Sequence, residues 1–341
     1  MYIYTTIERK MKFSFKDIHE FNDYFRDEKA CYEFFEKVRW EGGKPVCPHC
    51  GSEKHYKVKP RGKFQDIPSY RCANRECDLP FTVRTKSIFE GSKILLKTWF
   101  HAAYEISTRK KGISSVELGE RVRVSQKTAW LINHKLRAML KETEPSLLKD
   151  VAQVDEAYVG GRNKNRHADK KKAYSQGRSG KGKTMVFGAR GLLGNVKTQV
   201  VPDADRATIF PIIDKWIAKG TLMVTDEWKG YHTLHEKGYF HVSVNHALGN
   251  YTNGCFSTNG IENFWSIFKR GIIGIYHSVS PQHLQAYLDE FSDRYNQTGQ
   301  KHDSRFNHLV NRAANARLTY EDATSKKQRT AEYLTYKRDS I

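Results

Sequence analysis

Two pairs of cysteines constrain this chain more than any other feature: Cys47 and Cys50 in CPHC, and Cys72 and Cys77 in CANREC. Between them lies a stretch containing Gly51, Gly62 and Pro68. Paired thiols on two turns are how a zinc ribbon offers four thiolates to one tetrahedral cation. Four ordinary buried cysteines would not need the paired spacing. The second pair is wider than the usual two-residue gap, and His49 is a weaker ligand candidate. A unit this small has little core, so the metal's binding energy would hold its hairpins together. Cys31, in a helical segment, and Cys255, in a loop, have no sequence partner and are read as core or neutral positions.

Free thiols of this kind suit a reducing compartment. No run approaches the roughly 18 apolar residues that span a bilayer, and the first residues lack the long apolar stretch of a signal peptide. The expected location is therefore the cytoplasm, at the bacterial nucleoid, with no membrane partner. Charge bears on the partner: 58 Lys and Arg stand against 38 Asp and Glu, a net charge of +20. That excess favours a polyanionic partner, nucleic acid first. A length of 341 residues is enough for two or three compact units.

The expected order of units is an N-terminal helical segment (1–45), the zinc ribbon (46–90), a helical DNA-binding region (91–145), an α/β domain (146–300) and a basic C-terminal tail (301–341). Apolar residues at helical spacing (Phe21, Tyr24, Phe25, Phe34, Phe35, Val38) predict one or two helices over 16–40. Helix resumes from about Leu95 to Leu140, and Pro145 is a natural break. From Val151 the texture becomes strands alternating with helices: VAQVDEAYV, TMVFGARG, NVKTQVV, a helix over 206–219, TLMVTDE and HVSVNH, then helices over 260–270 and 282–295. Such alternation predicts an α/β sheet. Residues 162–183 form a basic, Gly/Ser-containing insertion suited to phosphate.

Within the helical region, the pattern predicts a helix-turn-helix: 114–121, a turn at 122–124, then a helix N-capped by Ser125 that runs to Leu140. Its exposed face is expected to carry Gln126, Lys127, Asn133, His134, Lys135 and Arg137, with Val124, Ala129, Ile132 and Leu136 inward. DNA contacts are assigned to Gln126, Lys127, His134 and Lys135. An ordinary αα-hairpin would show the same apolar spacing.

Three acids occupy suggestive positions: Asp155 on the first strand of the α/β region, Asp226 at the end of TLMVTD, and Glu262 in NGIENFWSIFKR. In a ribonuclease-H-like sheet, the central strand and its neighbour deliver two aspartates to one place and a downstream helix adds the third acid. Converging carboxylates can hold two hard cations for phosphoryl transfer. Each has a plainer reading. Glu262 stands at capping-box spacing from Asn259, and strand-end acids often just form turns. Asp155 and Asp226 are each followed by a glutamate, Glu156 and Glu227, and strands covered on both faces give no parity to choose between neighbours.

Taken together, DEKACYEFFEKVRWEGGKPVCPHCG, SIFEGSKILLKTWFHAAY, GISSVELGERVRVSQKTAW, VDEAYVGG, TDEWKGY and above all TNGIENFWSIFKRGIIGIYHSVSPQHLQAYLDEFSDRYN resemble the DDE-superfamily insertion-sequence transposases of the ISXO-like, Merlin-related group, over roughly residues 20–300. The resemblance implies a ribonuclease-H-like mixed-sheet catalytic domain preceded by a zinc ribbon and a helix-turn-helix. Asp155, Asp226 and Glu262 fall on its motif positions, with Mg2+ as the metal, Mn2+ able to substitute, and structural Zn2+ in the ribbon. It implies double-stranded DNA as partner, both terminal inverted repeats and target, a homo-oligomer on DNA, and hydrolysis followed by transesterification without a nucleotide cofactor. Lys269 and Arg270 would grip the scissile strand, whereas Trp265 and Phe268 belong to the core. Asn259 and Asn263 flank the acid, and asparagine replaces the third acid in some members. His246 falls where the group often has a histidine near the site. The alternative is a DNA-binding regulator or domesticated transposase whose carboxylates no longer work.

Overall fold

The computed structural model describes residues 12–59, 67–142, 146–160, 183–226, 229–244 and 257–324. The basic insertion at 162–182, Pro145, Glu227, His246, Cys255 and the last seventeen residues lie outside them. The chain divides into two compact units: residues 1–140 with 299–323, and residues 141–298 with 324–341.

The first unit opens with two helices, α1 (Ile18–Tyr24) and α2 (Glu28–Arg39). Asp17 and Asp27 cap them by accepting backbone N–H groups of their first turns, which is why the apolar pattern breaks between them. A three-stranded antiparallel sheet follows: β1 (His55–Lys57), β2 (Tyr70–Cys72) and β3 (Pro80–Phe81). Then come α3 (Leu96–Thr108), α4 (Ser115–Val122) and α5 (Gln126–Leu140).

The helix-turn-helix forms close to its expected limits. Ser114 accepts the Glu117 N–H at the start of α4, and Ser125 accepts the Thr128 N–H at the start of α5. Arg123 turns the chain with φ +56°. The exposed face of α5 differs from expectation. Only its start is open, at Gln126 and Lys127. Asn133, His134, Lys135 and Arg137 are buried. Asn133 donates to the Ile113 carbonyl at 3.3 Å and Lys135 to the Ile88 carbonyl at 2.8 Å, while the His134 ring lies 4.2 Å from that of Trp130. The second half of α5 is a polar-bonded core helix, because covering segments reach the face that periodicity assigns to solvent.

The expected basic tail is likewise corrected over its first part. Residues His302–Asn311 form a helix, labelled α9 below, whose Phe306, Leu309 and Val310 are buried in the first unit. Phe306 sits among Phe15, Phe21, Phe25 and Phe100, with ring centroids 5.2–6.0 Å apart. Asn307 uses its side-chain amide to bond both the N–H and the carbonyl of Phe13.

The second unit is built on a five-stranded mixed sheet in the order β6-β5-β4-β7-β8: β4 (Val151–Val159), β5 (Thr184–Gly191), β6 (Val196–Val201), β7 (Leu222–Thr225) and β8 (Phe240–Ser243). The first three strands form an antiparallel meander, and β7 and β8 join parallel to β4. This is the ribonuclease-H-like arrangement, with β4 central. One face carries α6 (Arg206–Trp216) over Ala152, Val154, Met185, Phe187 and Met223. The other carries α7 (Asn259–Gly271) and α8 (Leu284–Asn296) over Ala157, Val159 and Val186.

Gln285 and Asn296 of α8 present side-chain amides to the open edge of β6. Gln285 accepts from the Val200 N–H and donates to the Thr198 carbonyl, and Asn296 does the same with Val196. Capping an edge strand in this way satisfies its free ladder groups and blocks pairing with another chain.

Candidate active site and zinc centre

In the ribbon, the four thiols converge. The Sγ atoms of Cys47, Cys50, Cys72 and Cys77 all lie within 4.8 Å of one another, with Cys47 to Cys77 at 3.8 Å and Cys50 to Cys72 at 3.5 Å. A tetrahedron of sulfurs at about 2.3 Å from zinc has edges of about 3.8 Å, so the set fits that ion. The first turn closes by the Gly51 N–H donating to the Cys47 carbonyl, with Gly51 at φ +75°. The wider second turn closes differently. Cys77 and Asp78 both donate backbone N–H to the Asn74 carbonyl, and Asp78, at φ +42°, is held by a bidentate pair with Arg71 at 2.7 and 2.6 Å. The extra two residues are thereby absorbed in a turn. His49 is not part of the cluster, and Cys31 is buried in the α2 core as expected.

The acid site is built from strand register. The parallel pairing of β4 with β7 sets Val151 beside Leu222 and Gln153 beside Val224. Two residues farther on, Asp155 takes one face of β4, and Asp226 follows the end of β7 near enough for its charge to act on Asp155. Alternation identifies that face. Ala152 and Val154 pack toward α6, whereas Ala157 and Val159 pack toward α7 and α8. Asp155 therefore shares the α7 side. Glu156 takes the opposite side, where its carboxylate accepts the hydroxyl of Tyr231. These neighbours place Asp155 and Glu156 on opposite faces of the sheet.

Helix α7 can approach because two glycines leave room. Gly188 on β5 is the cross-strand partner of Asp155. A Cβ there would stand 2.5 Å from the Trp265 ring and 3.2 Å from Ile261 Cδ1. At the helix start, a Cβ on Gly260 would meet the side chains of Gln153 at 2.4 Å and Arg190 at 2.6 Å. Ile261, Phe264, Trp265 and Phe268 fill the interface, so Glu262, Asn263, Lys269 and Arg270 are left exposed. The N-cap is Thr258 rather than Asn259, and the Thr258 hydroxyl donates to the Glu262 carboxylate at 2.7 Å. Lys269 lies two turns beyond Glu262 on the same helical face, about 10 Å along the axis.

The electrostatics of Asp155 reflect its neighbours. Burial, first, and then the negative charges of Glu156, Asp226 and Glu262 together raise the Asp155 carboxyl to about 8. A half-buried acid crowded by three others is a site that a divalent cation stabilises. Oxygen donors alone suit a hard ion such as magnesium. Sequence reasoning missed Tyr231, Gln153 and the two glycines. TDEWKGY does contain Tyr231, but nothing in its spacing says that its hydroxyl reaches Glu156.

Comparison with known proteins agrees with this architecture. Residues 147–296 match the model of the ISXO2-like transposase domain, and residues 26–77 match that of the transposase zinc-ribbon domain. A protein in the transposable element ISH50 of Halobacterium salinarum is 27% identical over 286 residues, covering 79% of this chain and 91% of that protein. A transposase-like protein of Haemophilus influenzae is 32% identical over 101 residues, covering 30% of this chain and 80% of that protein. With a zinc ribbon ahead of a mixed five-stranded sheet and both domain models matched, the chain belongs to the ISXO2-like family of transposases.

Proposed function

We propose that the chain binds the terminal repeats of its element and cuts and joins DNA strands, using Asp155, Asp226 and Glu262 to hold two divalent ions, Mg2+ with Mn2+ able to substitute. What supports this reading is that Asp155 on β4 feels the charges of Asp226, which follows the adjacent parallel strand β7, and of Glu262, in the first turn of α7 on the same side of the sheet as Asp155. When bound, a pair of such ions stabilises the attacking and leaving oxygens of an in-line displacement at phosphorus.

The chain's own groups do the rest. Asp155, on the central strand, and Asp226, just past β7, would hold the ions, and Glu262 would complete the site from the helix packed on the same sheet. Glu156 is held off the site by Tyr231. Lys269 and Arg270, exposed beyond Glu262, would take phosphates of the scissile strand. In the helix-turn-helix, Gln126 and Lys127 open the second helix, the end that usually meets base edges. His134 and Lys135 are withdrawn from the DNA-contacting set, since both are buried. Joining two element ends requires more than one protomer, so a homo-oligomer on DNA is part of the proposal. The net charge of +20 supports a polyanionic partner.

The test uses the full chain, Mg2+ and labelled DNA spanning the flanks of its own gene. Wild type is expected to nick at a repeat boundary and join the freed end to target, while Asp226→Ala binds the same DNA and does neither. Equal binding with no cleavage by either protein would favour the regulator reading.

A further inference from the structure

Gln153 stands two residues before Asp155 on β4 and shares its face of the sheet. Its Oε1 accepts the backbone N–H of Ile261 at 2.9 Å. Ile261 is the residue before Glu262, in the first turn of α7, where backbone N–H groups have no partner within the helix. One strand thus carries both an acid of the site and the acceptor that docks the helix bearing another.

The approach is close. Gly260 packs so tightly on the Gln153 amide and the Arg190 guanidinium that no larger residue fits without displacing them. Arg190 is the cross-strand partner of Gln153 on β5, so the two side chains form one floor under the start of α7. Farther along, Trp265 and Ile261 close on Gly188, beside Asp155. Packing at Gly188 fixes how near α7 lies to the sheet. The apolar driving force is itself non-directional, however, and leaves small rotations and axial shifts of the helix inexpensive. A directional bond at the first turn narrows both further, one residue away from the carboxylate that must face Asp155.

We propose that Gln153 is a positioning residue: through its bond to the Ile261 N–H it sets the register of α7 so that the Glu262 carboxylate meets Asp155 and Asp226. Its role is exerted through the helix and not as a ligand. The role rests on the reading of the three acids as one metal site. It makes a distinction that a general packing role does not. Gln153→Leu keeps the volume and loses the acceptor, whereas Gln153→Glu keeps an acceptor oxygen at the same reach.

The test takes the full-length, zinc-loaded chain as wild type, Gln153→Leu, Gln153→Glu and Glu262→Gln. Mn2+ binding is followed by the electron paramagnetic resonance of the free ion, and hydrogen exchange is read on peptides covering the first turn of α7. The expectation is that Gln153→Leu weakens Mn2+ binding by about 10-fold, within the range for residues that orient metal ligands from behind, and speeds exchange at the start of α7. Gln153→Glu should restore both. Matching far-UV circular dichroism and zinc content in all four proteins exclude misfolding as the cause. Unchanged Mn2+ affinity or unchanged exchange in Gln153→Leu overturns the positioning role, as does failure of Gln153→Glu to restore either. If wild type and Glu262→Gln bind Mn2+ equally poorly, the metal reading of the acids fails, and the positioning role fails with it.

Discussion

At Asp155 the chain concentrates negative charge where solvent is scarce, and that choice has a measurable cost in the metal-free protein. Its carboxyl stays protonated in the fold up to about pH 8, against 3.8 for a free aspartate. Between those values the folded state holds a proton that the unfolded state has released. Stability without metal must therefore fall as pH rises from about 4 to about 8, by at most about 1.4 kcal/mol per pH unit. Urea unfolding of metal-free protein across this range should show the fall, and Asp155→Asn should flatten it. Addition of Mg2+ should raise the melting temperature more at pH 8 than at pH 5; equal shifts would disconnect the cation from this acid. Gly188 is the other residue under pressure. Gly188→Ala places a methyl against the Trp265 ring, and overpacking of this kind costs about 1–3 kcal/mol, readable in a urea titration. The sequence VDEAYVGG singles out Asp155 as a candidate, but not the face of β4 that it takes. Both faces of β4 are covered, so neighbouring residues look alike in hydrophobicity, and only the Tyr231 bond and the Gly188 contact separate Asp155 from Glu156.

Among the elements, the strands and helices of the second unit were readable because each has a run of its own period. The stretch 301–324 was not. In HDSRFNHLVN only Phe306, Leu309 and Val310 are apolar, and their value appears when they meet aromatic residues nearly three hundred positions earlier. Long-range pairing of this sort leaves no local signature. It does leave a prediction. Phe306→Ala should destabilise the first unit by about 3–5 kcal/mol, as expected for truncating a buried phenylalanine, and a chain ending at residue 300 should lose cooperative unfolding of that unit. A chain cut at 300 that melts like the full protein would restore the view of a dispensable tail. The second half of α5 failed to read for a related reason. Its Lys135 and Asn133 satisfy backbone carbonyls of Ile88 and Ile113, so a polar residue marks a buried bond and not a wet face. In the ribbon the spacing was enough, since four thiolates at one point need little else. The expected zinc content is one ion per chain, and Cys47→Ser should lose it and unfold β1 to β3 while leaving the mixed sheet intact, as followed by metal analysis and limited proteolysis. Retention of a full zinc equivalent by that variant would contradict the four-thiolate assignment.

For the whole molecule, the account divides labour between two units, each with its own metal chemistry. In the first, soft sulfur ligands close completely around a structural ion. In the second, the proposed oxygen ligands sit on strand and helix, with Lys269 and Arg270 exposed farther along α7. The carboxylate site is the central claim, and anomalous diffraction from crystals grown with Mn2+ tests it most directly. The account predicts anomalous peaks ligated at about 2.2 Å by carboxylate oxygens of Asp155, Asp226 and Glu262, with Glu156 still bonded to Tyr231. Peaks ligated by Glu156 in place of Asp155, or no peak near β4 at saturating Mn2+, would contradict it.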